Sequence, residues 1–276
     1  MPCGKRIISK LFSGFRLPSF AAITSSTLLL VMAVGLTPTP LYAQKASNDE
    51  PVILGVEDSW PPFALSNGSG ISAEIVTAAY ETMGRRVELR VLPYARVLRE
   101  VESGALHGGF NVTRQASTQG RFLFGERPIL TVQGSFYFPV SSDIDVRVHG
   151  DIPDDSHVGL IIGYEYGDQY EAHRSRFKEI RVSSQRQIIK MLLAHRLDMA
   201  IMFDEVARYT LVDMGLADVA IRKGERNHTS DIYVAFSKSR ADSESLALTL
   251  DKGLEKITMS GLYSQIIEGV GPERQR

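Results

Sequence analysis

The sequence predicts an α/β protein built from two similar blocks, each a mostly parallel sheet flanked by helices. Short apolar runs of strand length alternate with stretches whose apolar residues recur at helical spacing. This pattern stops after one block and restarts near residue 158. Hydrophobic residues make up 43% and charged residues 23% of the chain, as in ordinary soluble globular proteins. Alternating strands and helices favour parallel sheets covered by helices.

The first block reads β-α-β-α-β. Its strands are short apolar or alternating runs, and its helices carry apolar residues three or four positions apart. The elements are predicted at residues 52–56, 72–83, 87–91, 95–103 and 108–112.

The second block repeats this order and a third section closes the chain. Strands are predicted at 158–162, 199–203 and 219–221, and helices at 184–195 and 204–214. Ser184 and Gln187 have the spacing of a capping box at the start of the first of these helices. The closing section has a strand at 232–236, a helix with Leu246, Leu250, Leu254 and Ile257 on one face, and a short helix at 262–267. Extended segments at 136–140 and 232–236 join the blocks, which indicates two lobes with the chain crossing between them twice.

The N-terminal segment has the order of a secretory signal peptide. Basic residues Lys5, Arg6, Lys10 and Arg16 come before or at the edge of an uncharged apolar run at 20–36, and Ala43 offers a small residue at the cleavage point. An uncleaved membrane anchor is the alternative, but the run is slightly short for a span. We therefore expect residues 1–43 to be removed, residues 44–50 to form a flexible leader, and the protein to reside in the periplasm.

The charge and cysteine content of the remaining chain exclude several classes of function. Without residues 1–43 the chain keeps 27 of its 31 basic residues against 32 acidic ones, a net charge of −5. No basic patch of nucleic-acid-binding type remains, so no nucleic-acid partner is expected. The sole cysteine, Cys3, leaves with the signal peptide, which removes disulfides and thiolate chemistry. The histidines show no zinc-binding spacing. We expect a monomer with no metal and no cofactor.

Five segments together resemble the family 3 extracellular solute-binding proteins, the polar-amino-acid-binding group of ABC transporters. They are the strand and turn at 55–63 (GVEDSWPPF), the helix entry at 70–74, the Pro-aromatic-x-Arg segment at 93–104, the strand at 197–204 and the turn at 260–263. Each motif is weak alone, while their order and spacing are more specific. The resemblance covers nearly all of the chain after the signal peptide.

This resemblance implies a type II periplasmic-binding fold. Lobe 1 would comprise residues 51–138 plus 234–276, and lobe 2 with the hinge strands would comprise 139–233. The ligand would lie between the lobes, at the carboxyl ends of parallel strands. The lobes would close by a hinge motion about the two crossing segments.

An amino-acid ligand needs an acceptor for its ammonium group and apolar cover. Asp204 follows a buried strand, where an unpaired carboxylate is costly, so a ligand ammonium is one candidate partner; a helix N-cap is the alternative role. Glu57 ends a strand where the family often has an acid facing the cleft. Trp60 could cover the ligand or stack on its cation, with plain core packing as the alternative. Tyr94 belongs to the Pro-aromatic-x-Arg motif.

The ligand carboxylate needs donors, and here the sequence departs from the family pattern. The family's Thr-x-x-Arg motif, whose arginine clamps the carboxylate, is displaced, leaving Arg114 and Arg121 as candidates one helical turn to either side of Thr118. Either arginine could serve, both could be solvent-exposed, or the ligand could lack an α-carboxylate. Asn111 and Thr113, at the end of a strand, are candidates for neutral hydrogen bonds. In the family, the turn that matches Gly163 and Tyr164 opens a helix whose amides face an anion, and Tyr164 could narrow the pocket or add stacking.

The sequence therefore predicts a non-enzymatic solute-binding protein that captures a small polar, amino-acid-like ligand and delivers it to an inner-membrane ABC permease. Two alternatives stay open. The same fold hosts a cyclohexadienyl dehydratase, whose general acid could be Glu57 or Glu165. It also serves as the ligand-sensing module of receptors.

Overall fold

The computed structural model describes residues 50–269. The predicted signal peptide and all but the last residue of the predicted leader lie outside the described residues. Within the described part, no helix is long and apolar enough to cross a membrane.

The described chain folds into alternating strands and helices. The strands are β1 (Val52–Glu57), β2 (Val87–Leu92), β3 (Gly108–Thr113), β4 (Phe122–Phe124), β5 (Leu130–Phe138), β6 (His157–Ile161), β7 (Lys178–Val182), β8 (Met199–Phe203) and β9 (Arg222–Ser237). The helices are α1 (Ile71–Glu81), α2 (Tyr94–Glu102), α3 (Ala116–Gln119), α4 (Asp168–His173), α5 (Gln185–Leu193), α6 (Asp204–Asp213), α7 (Ser243–Met259) and α8 (Leu262–Gly269).

The strands of the described part form one sheet in the order β2-β1-β3-β9-β5-β8-β6-β7, with β4 also paired to β9. At one end β1 pairs in parallel with β2 and β3, and at the other β6 pairs in parallel with β7 and β8. The long strands β5 and β9 lie between these two sets and pair antiparallel with each other. The fold is thus a two-lobed type II periplasmic-binding fold, with a mostly parallel sheet in each lobe.

We call β1–β4 with α1, α2, α7 and α8 lobe 1, and β6–β8 with α4–α6 lobe 2. Strands β5 and β9 run through both: β9 pairs with β3 near Phe236 and with β5 down to Arg222. The residue boundaries between lobes given above stay a prediction.

Helices pack on both lobes through apolar faces. Every residue of β1 except Ile53 is buried, as expected for a central parallel strand covered on both faces. Helix α7 crosses α1 so closely that a Cβ at Gly253 would lie 2.1 Å from the carbonyl oxygen of Ala79. Glycine is therefore required at this crossing.

Most predicted elements are confirmed to within two residues, and one is wrong. A strand was expected at 219–221, but Asp218–Ala220 form a single 3-10 turn and Val219 is 80% exposed. The short apolar run there is a surface turn leading into β9. The predicted capping box is half formed: the Ser184 hydroxyl accepts from the Gln187 amide, while the Gln187 side chain reaches the amide of Ser183.

Candidate functional site

A small cavity lies between the lobes, where the carboxyl ends of β1, β3, β6 and β8 meet. Its volume is about 10 Å³, roughly the space that one water molecule needs. The lining consists of Glu57, Trp60, Tyr94, Asn111, Thr113, Tyr164, Glu165 and Phe203. Six of these are residues that the sequence predicts for the site. We call this space the interlobe cavity.

Aromatic rings close most of the interlobe cavity. The rings of Trp60 and Phe203, from different lobes, meet edge-on with centroids 5.3 Å apart. The rings of Tyr94 and Tyr164 do the same at 4.9 Å. All four side chains are buried, so the lobes are closed on one another.

Two tyrosine–glutamate hydrogen bonds cross between the lobes in opposite directions. The hydroxyl of Tyr94 in lobe 1 donates to Glu165 in lobe 2 over 2.8 Å. The hydroxyl of Tyr164 in lobe 2 donates to Glu57 in lobe 1. We call these two bonds the tyrosine–glutamate clasp. Each buried carboxyl is thus met by a phenol from the opposite lobe.

Burial changes the protonation of both carboxyls. Desolvation raises the pKa of Glu57 to about 8, although the hydrogen bond from Tyr164 opposes the shift. Desolvation likewise raises the pKa of Glu165 to about 7, against the hydrogen bond from Tyr94. Burial also raises the pKa of both phenols well above the usual tyrosine value, so they remain neutral donors.

Local backbone geometry brings the polar side chains to this point. Asn111 has a φ of +68° at the bulge where the β3–β9 pairing shifts register. Gly163 has a φ of +85°, and a Cβ there would lie 3.1 Å from the Cβ of Ala95 in lobe 1. The turn after β6 therefore needs glycine both for its conformation and for the close approach of the lobes.

Three polar atoms in the cavity wall have no hydrogen-bond partner among the described residues. They are the indole nitrogen of Trp60 and both side-chain amide atoms of Asn111, although Asn111 lies close enough to Glu57 to oppose the rise of its pKa. Buried polar groups are nearly always paired, so their free valences are places for a ligand or a water molecule.

Comparison with known proteins shows where this fold belongs. The sequence pattern of the bacterial extracellular solute-binding proteins, family 3, matches residues 52–270. The chain belongs to this family. No curated protein sequence gives a significant match.

Solved structures of related fold include binding, sensing and enzyme-precursor proteins. The arginine-, lysine-, histidine-binding protein ArtJ from Geobacillus stearothermophilus is similar at 16% identity and a TM-score of 0.66, over 80% of this chain and 95% of that one. A histidine kinase sensor domain is similar at 18% and 0.68, over 81% and 96%. The ancestral amino acid-binding protein AncCDT-1, a precursor of cyclohexadienyl dehydratase, is similar at 16% and 0.65, over 79% and 94%. At these identities the likeness shows the fold alone.

Asp204 of this solute-binding protein does not line the interlobe cavity. Its carboxylate accepts from Lys223 Nζ at 2.7 Å, from the Tyr137 hydroxyl at 2.9 Å and from Gln133 Nε2 at 3.0 Å. The carboxylate expected to await a ligand ammonium is therefore already paired within the protein. Its neighbour Phe203 occupies the cavity wall instead.

The two candidate arginines also lie outside the interlobe cavity. Arg121 makes a two-pronged ion pair with Glu102, at 3.1 and 3.0 Å, on the surface of lobe 1. Arg114 lines a second, larger cavity of about 490 Å³ that adjoins the first at Thr113. There its guanidinium lies 5.7 Å over the ring of Tyr233 and makes one long hydrogen bond, 3.4 Å, to the Gly125 carbonyl.

Two lining residues were not among the predicted ligand contacts. Glu165 was considered only as a general acid, and Phe203 was passed over in favour of the adjacent Asp204. Their positions in the sequence could have indicated that they line the cavity, because Glu165 lies in the turn after β6 and Phe203 is the last residue of β8. Among residues 50–269, no group of three or more His, Cys, Asp or Glu side chains is placed to hold a metal ion.

Proposed function

We propose that the protein is a periplasmic solute-binding protein that captures a small ligand with an amino group in the interlobe cavity and delivers it to an inner-membrane ABC permease. The observation that carries this proposal is the tyrosine–glutamate clasp. It places two buried carboxyls, one from each lobe, at the carboxyl ends of the parallel strands, where such folds bind ligands. Family membership supports the role in transport.

Ligand capture exchanges the partners of the clasp. In the closed form without ligand, the phenols of Tyr94 and Tyr164 satisfy the two carboxyls. An ammonium group that enters the cavity offers stronger, charge-assisted hydrogen bonds to the same oxygens. Lobe opening admits the ligand, and closure around it removes water from the ion pair, which strengthens the attraction.

Trp60 provides the test, because it is the only tryptophan and lies in the cavity wall. Amino acids and amines are titrated while its fluorescence and the melting temperature are recorded. A ligand that binds in the interlobe cavity changes the indole emission and raises the melting temperature by mass action. If every compound leaves both signals unchanged, the proposal is rejected.

A second candidate function follows from the two raised pKa values. A buried glutamic acid that is protonated near neutral pH is suited to act as a general acid, as a dehydratase of cyclohexadienyl acids requires. Glu57 and Glu165 both have this property. Turnover of prephenate or arogenate by the purified protein, and its loss in Glu57→Gln or Glu165→Gln, would establish this function in place of simple capture.

A further inference from the structure

The interlobe cavity has carboxyls for the ammonium group of an amino acid but no charged group for its carboxylate. Two carboxyls face the space, and the remaining lining consists of neutral side chains. No lysine or arginine is among the described residues that line it. The cavity therefore offers strong acceptors for a cation and no charged donor for a carboxylate.

Two cationic side chains of neighbouring elements are held by carboxylates outside the cavity. Arg121 is held by both oxygens of Glu102, and Lys223 is held by Asp204. Arg114 faces the larger cavity, beyond Thr113. A ligand carboxylate in the interlobe cavity would thus be buried beside two glutamates without a charged partner, which is strongly unfavourable.

The unpartnered donors of the wall do not change this conclusion. Trp60 Nε1 and Asn111 Nδ2 are neutral, and an indole has one proton to give. Such donors suit a neutral acceptor, for example a hydroxyl or carbonyl oxygen. The rings of Trp60, Tyr94 and Tyr164 add faces that attract organic cations.

We infer that the interlobe cavity recognises an organic amine that carries no carboxylate, rather than an α-amino acid. This inference rests on the proposed function and narrows its ligand class. The ammonium group lies between Glu57 and Glu165 and displaces the two phenol hydroxyls. The lobes close less tightly around the rest of the amine, because the cavity as it stands has room for only about one water molecule.

Binding of a cation in this position is coupled to proton release. The hydrogen bond from Tyr164 and the nearby amide of Asn111 lower the pKa of Glu57, and the charges of Asp58 and Glu165 raise it. A hydrogen bond from Tyr94 and the charge of Arg121 lower the pKa of Glu165, and the charge of Glu171 raises it. Since burial raises the pKa of both carboxyls, an amine must displace their protons, and its affinity rises with pH from about 6 to about 8. An anionic ligand would show the opposite trend, because it requires the carboxyls to stay protonated.

The test uses pairs of ligands that differ only by the carboxylate: putrescine and ornithine, cadaverine and lysine, agmatine and arginine, tyramine and tyrosine. Isothermal titration calorimetry is performed with the purified protein at several pH values. At least one amine is expected to bind tenfold or more tightly than its amino acid, with affinity increasing with pH. Equal affinity within every pair, or preference for the amino acids, overturns the inference while solute capture stands. Absence of binding by all members of all pairs overturns both.

Variants locate the cation. Glu57→Gln and Glu165→Gln are each expected to weaken amine binding at least tenfold, because each removes one charge-assisted partner. Glu88→Gln is the matched control. This glutamate lies on β2, outside the cavity lining, has a half-exposed side chain and pairs with Arg90, so amine affinity should not change. If the two cavity variants bind the amine as tightly as Glu88→Gln does, the assignment of the site is wrong. The pH dependence of the unaltered protein tests the inference even if a variant fails to fold.

Discussion

Replacing Glu57 with glutamine should make the protein less sensitive to alkaline pH. Glu57 is only 2% exposed, and desolvation raises its pKa from 4.5 to about 8. In the unfolded chain this carboxyl ionises with its ordinary pKa of 4.5, whereas the raised pKa in the folded protein lets it keep its proton to higher pH. Its contribution to stability is therefore complete below about pH 4.5 and is lost progressively as the pH rises to about 8.

The magnitude follows from the proton difference. Between the two pKa values the folded state binds one proton more, so the free energy of unfolding falls by about 1.4 kcal/mol per pH unit. Over the interval from about pH 5.5 to about pH 7.5 this amounts to about 3 kcal/mol. The figure is an upper limit, because opening of the lobes rehydrates the carboxyl without unfolding the chain.

Glutamine reproduces the protonated carboxyl at every pH, so Glu57→Gln should remove this slope. Urea denaturation followed by circular dichroism at about pH 5.5, 6.5 and 7.5 measures it. The variant and the unaltered protein should be similarly stable at the lowest pH and diverge as the pH rises, with the variant more stable. Glu165 contributes a residual slope that ends near pH 7. The control Glu88→Gln should follow the unaltered protein. Parallel curves for Glu57→Gln and the unaltered protein would refute a protonated Glu57 in the fold.

Three further substitutions test other parts of the site. Tyr164→Phe removes the hydrogen-bond donor to Glu57 and should lower the free energy of unfolding, measured by chemical denaturation, by about 1–3 kcal/mol. Because that hydrogen bond lowers the pKa of Glu57, its loss should also extend the alkaline loss of stability to higher pH. Unchanged stability would show that the bond is unimportant. Gly163→Ala places a side chain at a residue of positive φ, with its Cβ 3.1 Å from that of Ala95. It should lower the free energy of unfolding by about 1–3 kcal/mol and shift the lobes toward an open arrangement, which small-angle scattering detects. The control Gly150→Ala, whose Cβ would meet open space, should have neither effect. Asp204→Asn weakens the pairing with Lys223 and should lower the free energy of unfolding by about 1–2 kcal/mol. Ligand affinity measured by calorimetry should not change. A large loss of affinity would show that Asp204 contacts the ligand.

The order of strands and helices was predictable because each apolar pattern is local. Six residues of the cavity wall were also predictable, since they lie at or just after strand ends, and strand ends of a parallel sheet meet at one edge. The first half of β9, Arg222–Ser230, escapes prediction because polar and charged side chains fill it and no apolar run marks the strand.

The contacts of the charged residues were not predictable in the same way. Arg121 pairs with Glu102, 19 residues away, and Asp204 pairs with Lys223, also 19 residues away. Nothing in the local sequence links these partners. Whether Asp204 or Phe203 lines the cavity depends on which of these adjacent side chains faces the other lobe. The backbone conformation at the point where β8 passes directly into α6 determines this. The clasp, which joins residues 71 and 107 positions apart, could be seen only in three dimensions.

The passage of β5 and β9 through both lobes determines how this protein can be dissected. In the chain, lobe 2 lies between β5 and β9. The edge of its sheet that faces lobe 1 is strand β8, and the backbone groups of this edge are paired with β5. A fragment of lobe 2 that lacks β5 would expose the unpaired amide and carbonyl groups of β8, and such exposed strand edges promote aggregation. Separate expression of either half therefore requires both long strands to be included, and a reporter module is better inserted in a surface turn such as the one at Gly215, where a side chain would meet open space.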